Sequence, residues 1–189
     1  SLSLDDFYLS RAQRQILSNT IHPLLATRGV PGSHDIALAI KTIKDLRDLG
    51  NDTVTIPSFD KVRDDQSVQN QVEHNGARQV IMFEGWCLGA SPQKNNALKA
   101  PVNSLERDHD SDCSWREYVN DALVEQYPPL FELIDLWVML RAPSFDCVYE
   151  WRWEQEQKLV RQQSKKSIRH QYLMDEASLK KFIANYQRV

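Results

Sequence analysis

Cysteine is scarce and unpatterned: Cys87, Cys113 and Cys147 are the only three, an odd number with no C-x-x-C or zinc spacing. That argues against a disulfide framework and points to buried or free thiols in a reducing, cytoplasmic setting. No apolar run approaches the roughly 18 residues of a membrane-spanning helix, which removes a membrane from the expected partners. Excess positive charge is also missing. The formal net charge is −3, and Lys158 to Arg169 is the only basic stretch, so nucleic acid is not an expected partner either. Neither an internal repeat nor a low-complexity tract interrupts the 189 residues, a length that suits one domain with a sizeable core.

What the chain does have is two short apolar runs, each followed at once by acids. Leu2-Ser3-Leu4 leads into Asp5-Asp6-Phe7-Tyr8, and Val80-Ile81-Met82-Phe83 leads into Glu84-Gly85-Trp86. Runs of about four or five residues are too short for helices and read as buried parallel strands. In open α/β sheets ligands bind beyond the carboxyl ends of such strands, where these acids would sit. An acid there is suited to accept a hydroxyl proton or to hold Mg²⁺ for phosphoryl transfer. A solvated turn is the plain alternative for either site taken alone.

Elsewhere strand and helix patterns alternate, predicting a parallel sheet with helical crossovers. Ser10 with Gln13 predicts a capped helix to about Asn19. His34-Asp35 opens another, with Ile36, Ile40, Ile43 and Leu46 on one face and Gly50 as its stop. Val54-Thr55-Ile56 reads as a strand and Leu136 to Leu140 as a third interior one. Residues 89–112, rich in Pro, Asn, Asp and Ser, read as a long loop or insertion. Trp115, Tyr118, Val119, Ala122 and Leu123 mark a helix ended by Pro128-Pro129. Ser144 caps a long polar helix to about Ser164, and Leu179, Phe182, Ile183 and Tyr186 form the last stripe.

Five segments, in order, carry a resemblance. They are Leu4-Asp5-Asp6-Phe7-Tyr8-Leu9, then 27–35 (Thr-Arg-Gly-Val-Pro-Gly-Ser-His-Asp), then Ile56-Pro57-Ser58-Phe59-Asp60-Lys61, then 83–89 (Phe-Glu-Gly-Trp-Cys-Leu-Gly), then 148–156 (Val-Tyr-Glu-Trp-Arg-Trp-Glu-Gln-Glu). In that order the wording resembles the D-glycerate 3-kinase family, P-loop kinases related to phosphoribulokinase, uridine kinase and pantothenate kinase. The resemblance covers nearly the whole chain. It implies an α/β fold, a P-loop kinase-type parallel sheet flanked by helices, with helical insertions and a lid at 152–167.

One departure stands beside it: no G-x-x-x-x-G-K-[ST] segment occurs among these residues. The resemblance places that loop upstream of the Asp-Asp-Phe-Tyr strand and further chain beyond Val189. The expectation is a single kinase domain cut at both ends, without its first strand and phosphate loop. A gene product that has lost the loop is the alternative.

Roles follow from the resemblance. Asp5 aligns with the acid used as base or metal partner, and Asp6 with a helper that orients it or touches Mg²⁺-bound water. Glu84 takes the place of the second-strand acid that holds Mg²⁺ through water. Arg28 and Lys61 are the cations suited to a substrate carboxylate, which a guanidinium grips with two parallel hydrogen bonds. Tyr8 and Asp35 complete the substrate set with three residues of double reading. His34 is a substrate contact or a locally bonded imidazole, Asp60 a hydroxyl ligand or a partner of Lys61, and Trp86 a pocket wall or core. Arg152 is expected to stabilise transferring phosphate or cover the nucleotide base. The implied activity is ATP- and Mg²⁺-dependent phosphorylation of a small hydroxy acid, D-glycerate first, with ATP and this substrate as the only partners. A kinase of another small metabolite, or a kinase-derived binding protein without activity, are the alternatives.

Overall fold

The computed structural model of the chain describes residues 1–48, 53–75, 80–163 and 175–189. Strand β1 (Leu2–Ser3) runs straight into a 3₁₀ turn, Leu4–Phe7, so Asp5 and Asp6 follow the strand without a loop. Strand β6 (Phe83–Glu84) lies parallel to β1, with Leu2 opposite Phe83 and Ser3 opposite Glu84. The two acidic strand ends therefore meet at one edge, as the two runs predict.

Burial is less symmetrical than expected. Leu2 and Leu4 are buried, but Val80 and Met82 are 83% and 64% exposed. One side of β6 is taken by β1, and among the described residues no strand covers its other edge. Leu136 to Leu140 departs further from expectation. It joins no ladder among the described residues and Leu140 is 95% exposed, because an apolar run becomes a strand only where a neighbour accepts its hydrogen bonds.

Helix α1 (Arg11–Thr20) begins with the capping box foreseen at Ser10 and Gln13. Its one buried side chain, Arg14, donates to the carbonyls of Leu9, Ala26 and Asp64. Helix α2 (Ile36–Asp48) buries Ile36, Ala39, Ile43 and Leu46 against Leu2, Leu4, Phe7, Ala122, Leu123 and Leu130. Each such fully buried aliphatic side chain contributes about 1.5–3 kcal/mol, so this stripe rather than intrinsic propensity fixes α2 beneath the acids. The Gly50 stop lies outside the described residues.

Strand β2 (Thr53–Ile56) forms where expected, but its partner is β5 (Val72–Asn75) in antiparallel register, not a parallel strand. A second antiparallel pair, β3 (Phe59–Asp60) with β4 (Asp65–Gln66), turns at Asp64, a non-glycine residue at φ 57°. The 89–112 stretch expected as a loop carries two short helices, α3 (Asn95–Leu98) and α4 (Ser104–His109), the second capped by the Asn103 side chain. Helix α5 (Ser114–Glu125) buries Trp115, Val119, Ala122 and Leu123, and Pro128 opens the short α6 (Pro128–Phe131). Helix α7 (Phe145–Gln163) and helix α8 (Glu176–Ala184) complete the chain; residues 164–167 of the expected lid lie outside the described residues. Among the described residues no helix is long and apolar enough to cross a membrane.

Candidate active site

At the common end of β1 and β6 the chain brings together most of the residues singled out from sequence. Asp5 is the centre. Lys61 Nζ lies 2.5 Å from its Oδ2, and the Tyr8 hydroxyl donates to its Oδ1 at 2.8 Å. Burial alone would raise the Asp5 carboxyl, but the Lys61 and Tyr8 bonds outweigh it and hold the group below its ordinary value. Asp5 is thus a carboxylate with a built-in cation. Tyr8 is buried, and burial together with the Asp5 charge keeps its phenol protonated as a donor.

Asp6 behaves differently. Its Oδ1 accepts from the Phe59 N–H at 3.2 Å, which ties β3 to the acidic turn. Burial is the main reason its carboxyl sits above the ordinary value; the Phe59 bond opposes that, and the neighbouring Asp5 and Glu84 charges add to it. Glu84 itself is exposed at the end of β6. Like-charged acids at one edge, one of them held up in pKa, suit a hard divalent cation that keeps some of its waters. They do not form a closed cage. The grouping of three potential ligand atoms found among the described residues is His22, Asp110 and Asp112, away from this edge. There His22 Nδ1 accepts the Leu24 N–H, its Nε2 lies 3.9 Å from Asp110 Oδ1, and Asp110 Oδ2 is already bonded by Arg116 at 2.7 Å.

Arg28 and Phe59 form the next layer. The Arg28 guanidinium lies over the Phe59 ring, 5.5 Å from its centroid, and pairs with Asp64 Oδ1, while Arg14 holds Asp64 Oδ2 at 3.0 Å. Asp64 carried no signal in the sequence. Its left-handed turn position delivers the carboxylate to both arginines, leaving further Arg28 N–H groups for a ligand.

Gly29 follows at φ 132°, and Trp86 Nε1–H donates to its carbonyl at 2.8 Å. Trp86 is 37% exposed, so it borders the site rather than filling core. Gly32, at φ 87°, has no room for a side chain. A Cβ there would come 2.6 Å from the Tyr118 ring, whose hydroxyl bonds the Gly32 carbonyl.

His34 sits behind this surface. It is buried, stacked on Tyr8 at 4.5 Å between centroids, and its Nδ1 lies 2.7 Å from the Tyr127 hydroxyl. Burial lowers its pKa to about 3, so the imidazole is neutral at physiological pH. Its contacts are those of the locally bonded reading, and it backs Tyr8. Tyr127 also neighbours Cys87, whose thiol burial pushes up to about 12, an inert core group.

Two further residues have structural work close by. Asp35 Oδ1 accepts the Leu38 N–H and caps α2. Asp60 Oδ1 accepts from the N–H groups of Val62 and Arg63, and its Oδ2 faces Arg63 at 3.6 Å; the expected Asp60–Lys61 pair gives way to Lys61–Asp5. Arg152 lies on α7, bonded to Glu156 at 2.7 Å one turn on, and its charge acts weakly on the Tyr186 hydroxyl.

Tyr186 itself was read only as part of a helical stripe. It packs on Trp86 with centroids 4.8 Å apart, and its hydroxyl feels Arg28, Asp5 and Arg152. Two open depressions, of 400 and 320 Å³, lie elsewhere: beside Gly89–Pro92 with Phe131, and between α7 and α8. Neither includes any of these residues.

No family model matches the chain. Individual relatives do. It is 32% identical over 167 residues to an uncharacterised kinase of Schizosaccharomyces pombe, covering 83% of this chain and 58% of that one. It is likewise 32% identical over 167 residues to the chloroplastic D-glycerate 3-kinase of Arabidopsis thaliana, covering 82% of this chain and 34% of that protein. The chain therefore spans between a third and three fifths of the length of these curated relatives. Among solved structures, D-glycerate 3-kinase from Cryptococcus neoformans superposes with a TM-score of 0.77 at 27% identity, over 98% of this chain and 66% of that one. By sequence and by fold the chain is thus a homologue of D-glycerate 3-kinase and its kinase relatives, with the P-loop kinase fold.

Proposed function

We propose that the protein carrying this chain transfers a phosphoryl group from ATP to a hydroxyl of a small hydroxy acid, D-glycerate first. The observation that carries the reading is Asp5: a carboxylate at the end of a parallel strand, kept charged by Lys61 and Tyr8, with Arg28 close by. Such transfers need little covalent chemistry from the protein; they need an aligned alcohol, a group to accept its proton, and neutralised phosphate charge.

In this reading Asp5 accepts the hydrogen bond, and finally the proton, of the attacking hydroxyl. Arg28 and Lys61 hold the substrate carboxylate. Trp86 and Tyr8 wall the acceptor, while His34, Asp35 and Asp60 keep their supporting elements in place. Glu84 and Asp5 would hold Mg²⁺ through water, with Asp6 beside them. Mg²⁺·ATP supplies the phosphoryl group and the charge that neutralises it. Arg152 stands on the side of the transferred phosphate, and α7 is the element that shields it from water.

A panel of D-glycerate, glycerol, pantothenate and uridine, assayed with Mg·ATP and the full-length protein, tests this. D-glycerate should be the preferred acceptor by kcat/KM, because glycerol offers Arg28 and Lys61 no carboxylate. Equal rates for D-glycerate and glycerol would overturn the hydroxy-acid assignment, and a preference for uridine would replace it with a nucleoside kinase.

A further inference from the structure

The final residues of the chain turn back into the acceptor edge. Helix α8 buries Leu179 and Ile183, and after it the Tyr186 ring packs on Phe182 at 5.2 Å and on Trp86 at 4.8 Å. Gly29 is what admits it: a Cβ at that position would overlap the Tyr186 hydroxyl, so the phenol lies directly over the backbone that follows Arg28.

Two residues on, Arg188 is bound into the body of the molecule. It donates to both oxygens of the fully buried Glu106, at 2.7 and 2.5 Å, and to the carbonyls of Ala97 and Ala100. The segment cannot shift without breaking a buried ion pair, so Tyr186 is held in place rather than free to swing. Its hydroxyl makes no hydrogen bond among the described residues, yet it stands where Arg28, Asp5 and Arg152 all act on it. Burial keeps that hydroxyl protonated, hence a donor.

We infer that Tyr186 is a specificity-determining residue: its hydroxyl donates to the anionic end of the acceptor that Arg28 grips, and Arg188 is the positioning residue that holds it there. This rests on the hydroxy-acid reading above. A guanidinium and a fixed neutral donor facing one carboxylate favour acids over neutral polyols, because a polyol leaves both without a charged acceptor.

Tyr186→Phe in the full-length protein tests it, since the ring that packs on Trp86 is kept. D-Glycerate binding by calorimetry without ATP, and steady-state kinetics with D-glycerate and glycerol, are the readouts. Loss of one hydrogen bond to a charged group should weaken D-glycerate about 10- to 100-fold, mainly in KM, and leave glycerol nearly unchanged. Arg188→Gln should shift the same acid-over-polyol ratio, and the double variant should be no worse in that ratio than the worse single one. Unchanged D-glycerate affinity in Tyr186→Phe, or equal losses for D-glycerate and glycerol, would overturn the inference while leaving the hydroxy-acid reading standing. Wild-type protein that does not bind D-glycerate at all would overturn the reading, and this inference with it.

Discussion

Asp5 and Asp6 are adjacent acids of one turn, yet their surroundings drive them apart. Lys61 and Tyr8 hold Asp5 charged, whereas burial and neighbouring negative charge raise Asp6. Because the folded Asp5 pKa is depressed, its contribution to stability is full above the ordinary carboxylate value of about 3.9. It is lost as pH falls through the lower folded value. Lys61→Met removes the stronger support and leaves burial opposed chiefly by the Tyr8 bond, so the acid limb of the kcat/KM profile should move to higher pH; a limb that stays in place would separate Asp5 from that ionisation. Arg28→Ala should raise KM for D-glycerate by about 10- to 100-fold and lower kcat less, since the contact exists in ground and transition states alike. An effect confined to kcat would show that Arg28 acts on the transferred phosphate instead. Asp5, Lys61, Arg28 and Trp86 were legible because they stand inside ordered motifs. Asp64, 36 residues from its partner Arg28, was not, because nothing local in a sequence marks the far end of an ion pair.

Among elements, those with local signals were read well and those defined by distant partners were not. The Ser10–Gln13 box announces α1, and the spacing of Ile36, Ile43 and Leu46 announces α2. Ser10→Ala should cost about 1 kcal/mol, a fall of about 2–4 °C in Tm for a chain of this size, and an unchanged Tm would mean that α1 is fixed by Arg14 alone. The pairing of β2 with β5 needs a strand of Val, Glu, His and Asn that has no apolar alternation to betray it. Leu136 to Leu140 has the composition of a strand but no ladder, since pairing is a property of two segments. Arg188 shows the energetic side of the same point. Its removal leaves Glu106 with Arg116 at 3.8 Å as its remaining ion-pair partner, and breaking a buried pair from one side costs about 3–5 kcal/mol. Arg188→Met should therefore lower Tm by several degrees more than Ser10→Ala, as thermal unfolding followed by circular dichroism would show.

Across the molecule, the one parallel pair among the described residues sets the geometry on which the rest depends. β1 and β6 put Asp5 and Glu84 at one edge, α2 supports them from below, and the β3–β4 hairpin brings Lys61 and Asp64 over the top. The C-terminal segment adds Tyr186, packed on Trp86. The acidic edge was legible from two short runs and their acids; the C-terminal segment was not, because Tyr186 reads equally well as one more member of a helical stripe. These 189 residues contain no Gly-rich phosphate-cradling motif, so taken by themselves they should bind Mg·ATP more weakly than micromolar in a calorimetric titration. Micromolar binding would place the nucleotide contacts within this chain.

In the proposed reaction the Asp5 carboxylate receives the proton of the attacking hydroxyl. Phosphoryl transfer from Mg·ATP to D-glycerate, measured for the full-length protein with Asp5→Asn and Asp6→Asn beside it, is the decisive measurement. Asn keeps the shape and removes the charge, so Asp5→Asn should lower kcat about 10²–10⁴-fold with KM little changed, and Asp6→Asn should cost less. Asp5→Asn turning over within twofold of wild type, or Asp6→Asn proving the more damaging of the two, would contradict that role of Asp5.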